Sequence, residues 1–112
     1  MRFSFTEEQE AWRAEVAQFC RENVKEEHAL QWYRTGRNSD DEFYAKLAAK
    51  GWIGLAWPVE LGGKGLSHLE MGVFNEEMAY WEAPTGELGN TVNLLGNSLR
   101  RFGTPEQQRR FL

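Results

Sequence analysis

One cysteine, two histidines and three prolines are all that this 112-residue chain holds of the residues that most often staple, ligate or interrupt a fold. A lone Cys20 excludes an internal disulfide and suits a reducing compartment, so the cytoplasm is the expected location. His28 and His68 stand apart, and neither has a Glu three residues ahead of it, the arrangement a bundle di-iron site needs. A capping or surface role is expected for both, and no metal site. Cationic charge is scarce as well: 13 Lys and Arg face 17 Asp and Glu, a net −4. Phosphate binding needs a concentrated basic face, so nucleic acid is not an expected partner. The doublets Arg100-Arg101 and Arg109-Arg110 sit in helical patterns, where a solvated face explains them. No apolar run reaches membrane-spanning length, and the opening Met-Arg-Phe-Ser-Phe lacks the apolar core of a secretion signal. Strand-like alternation is missing throughout.

What is abundant is helix punctuation. Four segments open with Ser or Thr followed three residues later by Glu or Gln, a pair that satisfies two orphaned backbone N–H groups reciprocally. They are Thr6–Gln9, Ser39–Glu42, Ser67–Glu70 and Thr104–Gln107, the last with Pro105 at the first helical position. Apolar residues then recur at spacings of three and four. Trp12, Val16, Phe19, Cys20 and Val24 form the first stripe. Phe43, Leu47 and Ala48 form the second, with Gly51 as its stop. Leu69, Val73 and Tyr80 form the third, ended by Pro84. Another stripe, without a capping box, runs through Leu88, Val92, Leu95, Leu99 and Phe102 to Gly103. Gly96 inside it costs roughly 1 kcal/mol relative to Ala, which a close backbone approach would justify.

The expected fold is all-α, an orthogonal bundle of about five helices over 7–26, 40–50, 68–81, 87–102 and 105–112. His28 to Asn38 reads as a connection. Residues 51–66 carry five glycines and a proline among large apolar side chains, which predicts an ordered, partly buried Trp/Gly-rich loop. The apolar end at Phe111-Leu112, with no glycine cap or polar tail, reads as a cut through something longer.

Catalytic chemistry does not emerge from these residues. Glu76 and Glu77 are adjacent on a helix, pointing about 100° apart, which predicts a solvated face and not a shared site. Gly62-Gly63-Lys64-Gly65 follows no strand and lacks the spacings of phosphate-binding loops, so a tight turn is expected. Cys20 lies on an apolar stripe and reads as core.

The loop Gly51-Trp-Ile-Gly-Leu, then Trp57-Pro-Val-Glu-Leu-Gly-Gly-Lys-Gly65, resembles the signature loop of the acyl-CoA dehydrogenase N-terminal domain. Phe5-Thr-Glu-Glu-Gln9, Glu76-Glu-Met-Ala79 with Ala83-Pro84, and the stretch from Leu99 to Leu112 are similar to that family in the same order. Leu61 stands where an aromatic residue is common, and Asn97 where many members carry proline, which leaves the subfamily open. The resemblance covers residues 1–112 and implies the helical N-terminal domain of a three-domain flavoenzyme, without its β-domain and C-terminal helical domain. It implies FAD, an acyl-CoA substrate, an electron-transferring flavoprotein as acceptor, and a homo- or hetero-oligomer. The base, a glutamate, belongs to the absent C-terminal domain, so no catalytic residue is expected here. By resemblance the helix from Glu87 to Phe102 supplies the floor of the acyl cavity, with Gly86, Asn90 and Leu94 as the substrate-facing line. A catalytically silent subunit of a heteromeric enzyme and a helical interaction module are the alternatives.

Overall fold

The computed structural model describes residues 3–112; Met1 and Arg2, part of the opening read above for a secretion signal, lie outside them. The described residues are helical apart from one long loop and the connections, with a single antiparallel bridge between Ser39 and Thr85. In chain order come α1 (Glu7–Asn23), α2 (Glu26–Thr35), α3 (Asp41–Ala49), a 3₁₀ turn (Val59–Leu61), α4 (His68–Tyr80), a π-helical segment (Gly89–Gly96) that continues into α5 (Asn97–Phe102), and α6 (Pro105–Phe111).

Three of the four capping boxes form. Thr6, Ser67 and Thr104 each accept the N–H three residues on, and Gln9, Glu70 and Gln107 reach back to the cap N–H. Ser39 does not cap. The N-cap of α3 is Asp40, whose Oδ1 accepts from the Phe43 N–H at 2.8 Å. Ser39 is buried instead, taking a hydrogen bond from Arg37 Nε at 2.8 Å. A carboxylate one residue along competes for the same cap, and spacing alone does not rank the two.

The connection expected at 28–38 is largely helix α2. Its start carries no Ser or Thr box. His28 Nδ1 takes the place of the usual Glu, accepting from the Lys25 N–H at 3.0 Å, so the capping role expected of His28 is the one it plays. Gly36, in the left-handed region at φ 73°, ends the helix. Only His28 of α2 is buried, against Phe43 at 6.1 Å between ring centroids, so no apolar stripe marked the element.

The core lies between α1, α3, α4 and the loop: Val16, Phe19, Cys20, Phe43, Leu47, Trp52, Leu55, Phe74, Met78 and Ala83. Full burial of such a side chain is worth about 1.5–3 kcal/mol. The α1 stripe is therefore as expected, with Trp12 and Val24 packed at its edges. In α3, Phe43 and Leu47 turn inward but Ala48 is exposed. In α4 the buried residues are Val73, Phe74 and Met78, while Leu69 is 50% and Tyr80 77% exposed. The inward face is thus rotated by about one residue from the expected line. That rotation is set by polar contacts between helices. Trp12 Nε1 donates to the Glu70 carbonyl at 3.0 Å, and the Arg13 guanidinium spans Glu77 at 2.9 Å and Glu76 at 3.3 Å. The two glutamates do share one partner, because a planar fork bridges side chains that diverge. The hydrogen bond to Glu77 holds the Arg13 pKa above its ordinary value.

Beyond α4 the α-helical expectation for 87–102 gives way to i→i+5 bonding over Gly89–Gly96. A wider turn moves residues off the α register. Leu88 and Val92 stay partly buried, but Leu95 and Phe102, expected inside, are 59% and 78% exposed. Gly96 is buried here because a Cβ would overlap the Trp57 indole. The same indole lies against Gly54, at φ 67°, where an added Cβ would sit 2.8 Å from the ring.

Gly96→Ala should therefore destabilise the chain by about 1–3 kcal/mol through overpacking. In a Trp57→Ala background the same change should be neutral or stabilising by up to ~1 kcal/mol, the ordinary helix preference for Ala. Urea unfolding of the four proteins of this cycle measures it; equal costs in both backgrounds contradict the contact. Cys20 yields a second expectation. Burial, and secondarily the Glu77 charge, push its thiol from 9.0 up to about 12. The folded state holds the proton longer, so this contribution to stability is present below pH 9.0 and is lost as pH climbs towards 12. Iodoacetamide at pH 8 should alkylate Cys20 no faster than the chain unfolds; rapid labelling of the native protein would contradict it.

Candidate functional site

Two cavities meet between α4 and the π-helical segment. The inner one, about 60 Å³, is closed by the loop residues Trp52, Leu55 and Trp57, with Met71 of α4 and Val92 and Asn97 opposite. The outer one is a groove of about 650 Å³ that opens past Trp32 and Tyr33 of α2, Glu82 and Gly86. Phe74, Asn75, Leu88 and Asn93 line both, so the smaller, more apolar cavity adjoins the groove.

Local backbone contacts fix this arrangement. The turn into the π segment is pinned to α3 and the segment before it: the Gly86 N–H donates to the Asn38 carbonyl at 2.7 Å, and the Glu87 N–H to Tyr44 Oη at 3.1 Å. Burial raises the Tyr44 pKa, which keeps the phenol neutral in that position. A Cβ on Gly86 would meet the Asn38 carbonyl at 2.7 Å, so glycine is required there for packing. At the mouth, Glu82 alone among the described non-glycine residues has positive φ, 53°, a conformation costing roughly 1–2 kcal/mol. Tyr33 Oη lies 3.5 Å from its carboxylate, and the Tyr33 ring stacks on Trp32.

Of the three residues expected to face a substrate, Gly86 lines the outer groove. Asn90 and Leu94 lie on the exposed side of the π segment, Leu94 at 62% exposure, and line neither cavity. The structure adds Trp52, Asn75 and Asn93, which spacing did not single out. Leu88 and Asn93 are five apart, neighbours in a π turn and not in an α turn; the glycines at 89 and 96 were the only signal of that change.

One buried donor stands out in the Trp52 ring packed beside the inner cavity. Trp52 Nε1 is buried and has no hydrogen-bond partner among the described residues, a state that costs about 1–3 kcal/mol. By contrast the glycine-rich loop is internally satisfied. The N–H groups of Gly62, Gly63, Lys64 and Gly65 donate to the carbonyls of Val59, Pro58, Leu55 and Trp57. None is left to hold a phosphate, and the tight turn expected there is what forms. Cys20 contacts Met78 Sδ at 3.7 Å within the core and itself lines neither cavity. Among the described residues, no three His, Cys, Asp or Glu side chains converge as metal ligands would. No described helix is long and apolar enough to cross a membrane. The site can hold and shape an elongated apolar ligand; it contains no nucleophile and base in contact.

This architecture has known counterparts. The family model described as acyl-CoA dehydrogenase, N-terminal domain, matches residues 6–112. The acyl-CoA dehydrogenase IpdE1 of Mycolicibacterium smegmatis is 38% identical over 112 residues, covering 94% of this chain and 29% of that protein. A mitochondrial isovaleryl-CoA dehydrogenase of Solanum tuberosum is 34% identical, covering 96% of this chain and 26% of that protein. Among solved structures, a chain of the ChsE4-ChsE5 complex from Mycobacterium tuberculosis superposes with a TM-score of 0.82 at 34% identity, over 100% of this chain and 28% of that one. The chain thus spans under a third of the relatives it matches. On the match over residues 6–112 and the shared helical fold, it belongs to the acyl-CoA dehydrogenase family, as the N-terminal domain.

Proposed function

We propose that this domain walls the acyl-binding site of a flavin-dependent, cytoplasmic acyl-CoA dehydrogenase that oxidises acyl-CoA thioesters across the α,β bond. The observation that carries this is the pair of adjoining cavities between α4 and the π segment, a wide groove and a smaller, mainly apolar recess beside it. An acyl chain is the ligand such a site suits: extended, apolar and tethered to a polar head that remains outside. FAD supplies the redox chemistry when bound. The loop N–H groups being taken, residues 62–65 do not fit its phosphates, and we assign flavin contacts and the catalytic base to chain outside this domain. The electrons pass on to an electron-transferring flavoprotein, and the working unit is an oligomer. A second reading, a catalytically silent subunit beside an active one, is favoured by the similarity to a chain from a complex of two named components.

Within this reading Gly86 borders the groove, and Asn90 and Leu94, which line neither cavity, form a separate exposed line of the π segment against which the acyl group lies in the intact enzyme. The exposure of Leu94 supports a surface that a ligand or another domain covers. In the intact enzyme, Asn90→Trp should lower kcat/KM for long acyl-CoAs by about ten- to a hundredfold, with a smaller effect on short ones. Steady-state kinetics over a chain-length series checks it; equal effects at all lengths remove Asn90 from the pocket. The 112-residue chain alone should purify without flavin and leave acyl-CoA unoxidised. Absorbance near the flavin bands tests the first point, and stoichiometric retention of FAD would refute the assignment.

A further inference from the structure

The inner cavity has walls that cannot retreat. Trp52, Leu55 and Phe74 are buried members of the core. Trp57 closes another side, and its indole is wedged between the backbones of Gly54 and Gly96, so close that neither residue could carry a Cβ. A ring held from two sides does not swing away to lengthen a cavity, because close-packed interiors resist compression. The volume is about 60 Å³, against the roughly 10–15 Å³ that one water-sized sphere needs, which is room for about four to six such atoms.

The rim differs from the floor. Asn75 and Asn93, shared with the outer groove, are exposed to solvent. Asn97 is exposed as well, its Nδ2 donating to the Asn93 carbonyl at 2.8 Å and its Oδ1 accepting from Arg100 at 3.0 Å. The buried side chains of the lining are aliphatic or aromatic. Met71 and Val92, both half-buried, complete the wall; they line the inner cavity and not the groove, so their size sets what fits. The groove, at about 650 Å³, imposes no such limit.

We infer that the inner cavity receives a compact apolar end or branch of the acyl group, of no more than about six carbon atoms, and that Val92 and Met71 determine which groups fit. This rests on the reading of the two cavities as an acyl site, and it narrows the substrate class to acyl groups that carry such an end or branch. A compact group gains contact with the buried floor, whereas a fused ring overfills the cavity and remains in the groove. In a hydrophobic pocket one methylene more or less changes binding by about tenfold or more.

The test is an NMR titration of the chain, with its Ala, Thr, Val and Met methyls labelled with ¹³C, using 5-methylhexanoate and 4-(1-naphthyl)butanoate as probes. Contacts between probe and protein are read as nuclear Overhauser effects. The expected result is that the isopropyl methyls of 5-methylhexanoate contact Met71 and Val92, while the naphthyl ring contacts only Ala79 and Thr85, which line the groove and not the inner cavity. Val92→Phe, which fills the cavity, should weaken binding of 5-methylhexanoate about tenfold and leave that of the naphthyl acid unchanged. Should that variant fail to fold, the contacts in the unsubstituted chain decide. If 5-methylhexanoate contacts Ala79 and Thr85 but neither Met71 nor Val92, the inference falls while the acyl reading stands. If neither acid contacts either pair of methyls, both fall. Naphthyl contacts to Met71 or Val92 as strong as those of the isopropyl group would show walls that yield, and would also overturn the inference.

Discussion

The Trp57 indole is wedged where three segments of chain meet. It rests against Gly54 and reaches the backbone of Gly96 in the π segment, and its own carbonyl occupies the space that a Cβ on Gly63 would need. Each approach requires the neighbour to have no side chain. The wedge ties the irregular loop to an element more than thirty residues later, and it sets how near the π segment comes to α4. The inner cavity is the remainder of that spacing. With a smaller residue at 57 the loop would lose its hold on the segment, and the inner cavity would lose a wall.

The second constraint is the lock between α1 and α4. Trp12 and Arg13 both reach across, one to a backbone carbonyl and one to a pair of carboxylates. Glu77 also accepts from Trp81 Nε1 at 3.2 Å, so a single half-buried carboxylate serves two helices and the turn that leaves α4. These directional bonds settle the rotation of α4, and with it the placement of Phe74 and Asn75 on the cavity side. Hydrophobic burial alone is non-directional and does not choose between rotations that differ by one residue.

Together these features leave two adjoining cavities between α4 and the π segment and, among the described residues, no nucleophile and base in contact. The domain's sulfur is neutral and buried, its buried histidine caps a helix, and its glycine-rich turn closes on itself. The polar groups at the cavities are amides, an indole and, at the mouth, Glu82 and Tyr33. The α5–α6 arm adds no buried residue of its own and carries Phe102 and Phe111 exposed.

The sequence by itself determined the all-α class, three of the capped helix starts, the inward face of α1 and the irregular loop. All of these are local: a hydroxyl three residues from a glutamate or glutamine, apolar side chains three and four apart, breakers clustered within sixteen residues. The family could be read as well, because its signature lies in one contiguous loop. Tertiary structure alone decided the rest. Helix α2 depends on a histidine acting as a cap and on Phe43 beneath it. The face of α4 depends on partners in α1, and the choice of Asp40 over Ser39 on a bridge to Thr85. The π register depends on Trp57 pressing against Gly96, so the residues that line the cavities could not be placed by counting in threes and fours. Each of these outcomes rests on contacts between residues distant in the chain, which local spacing does not encode.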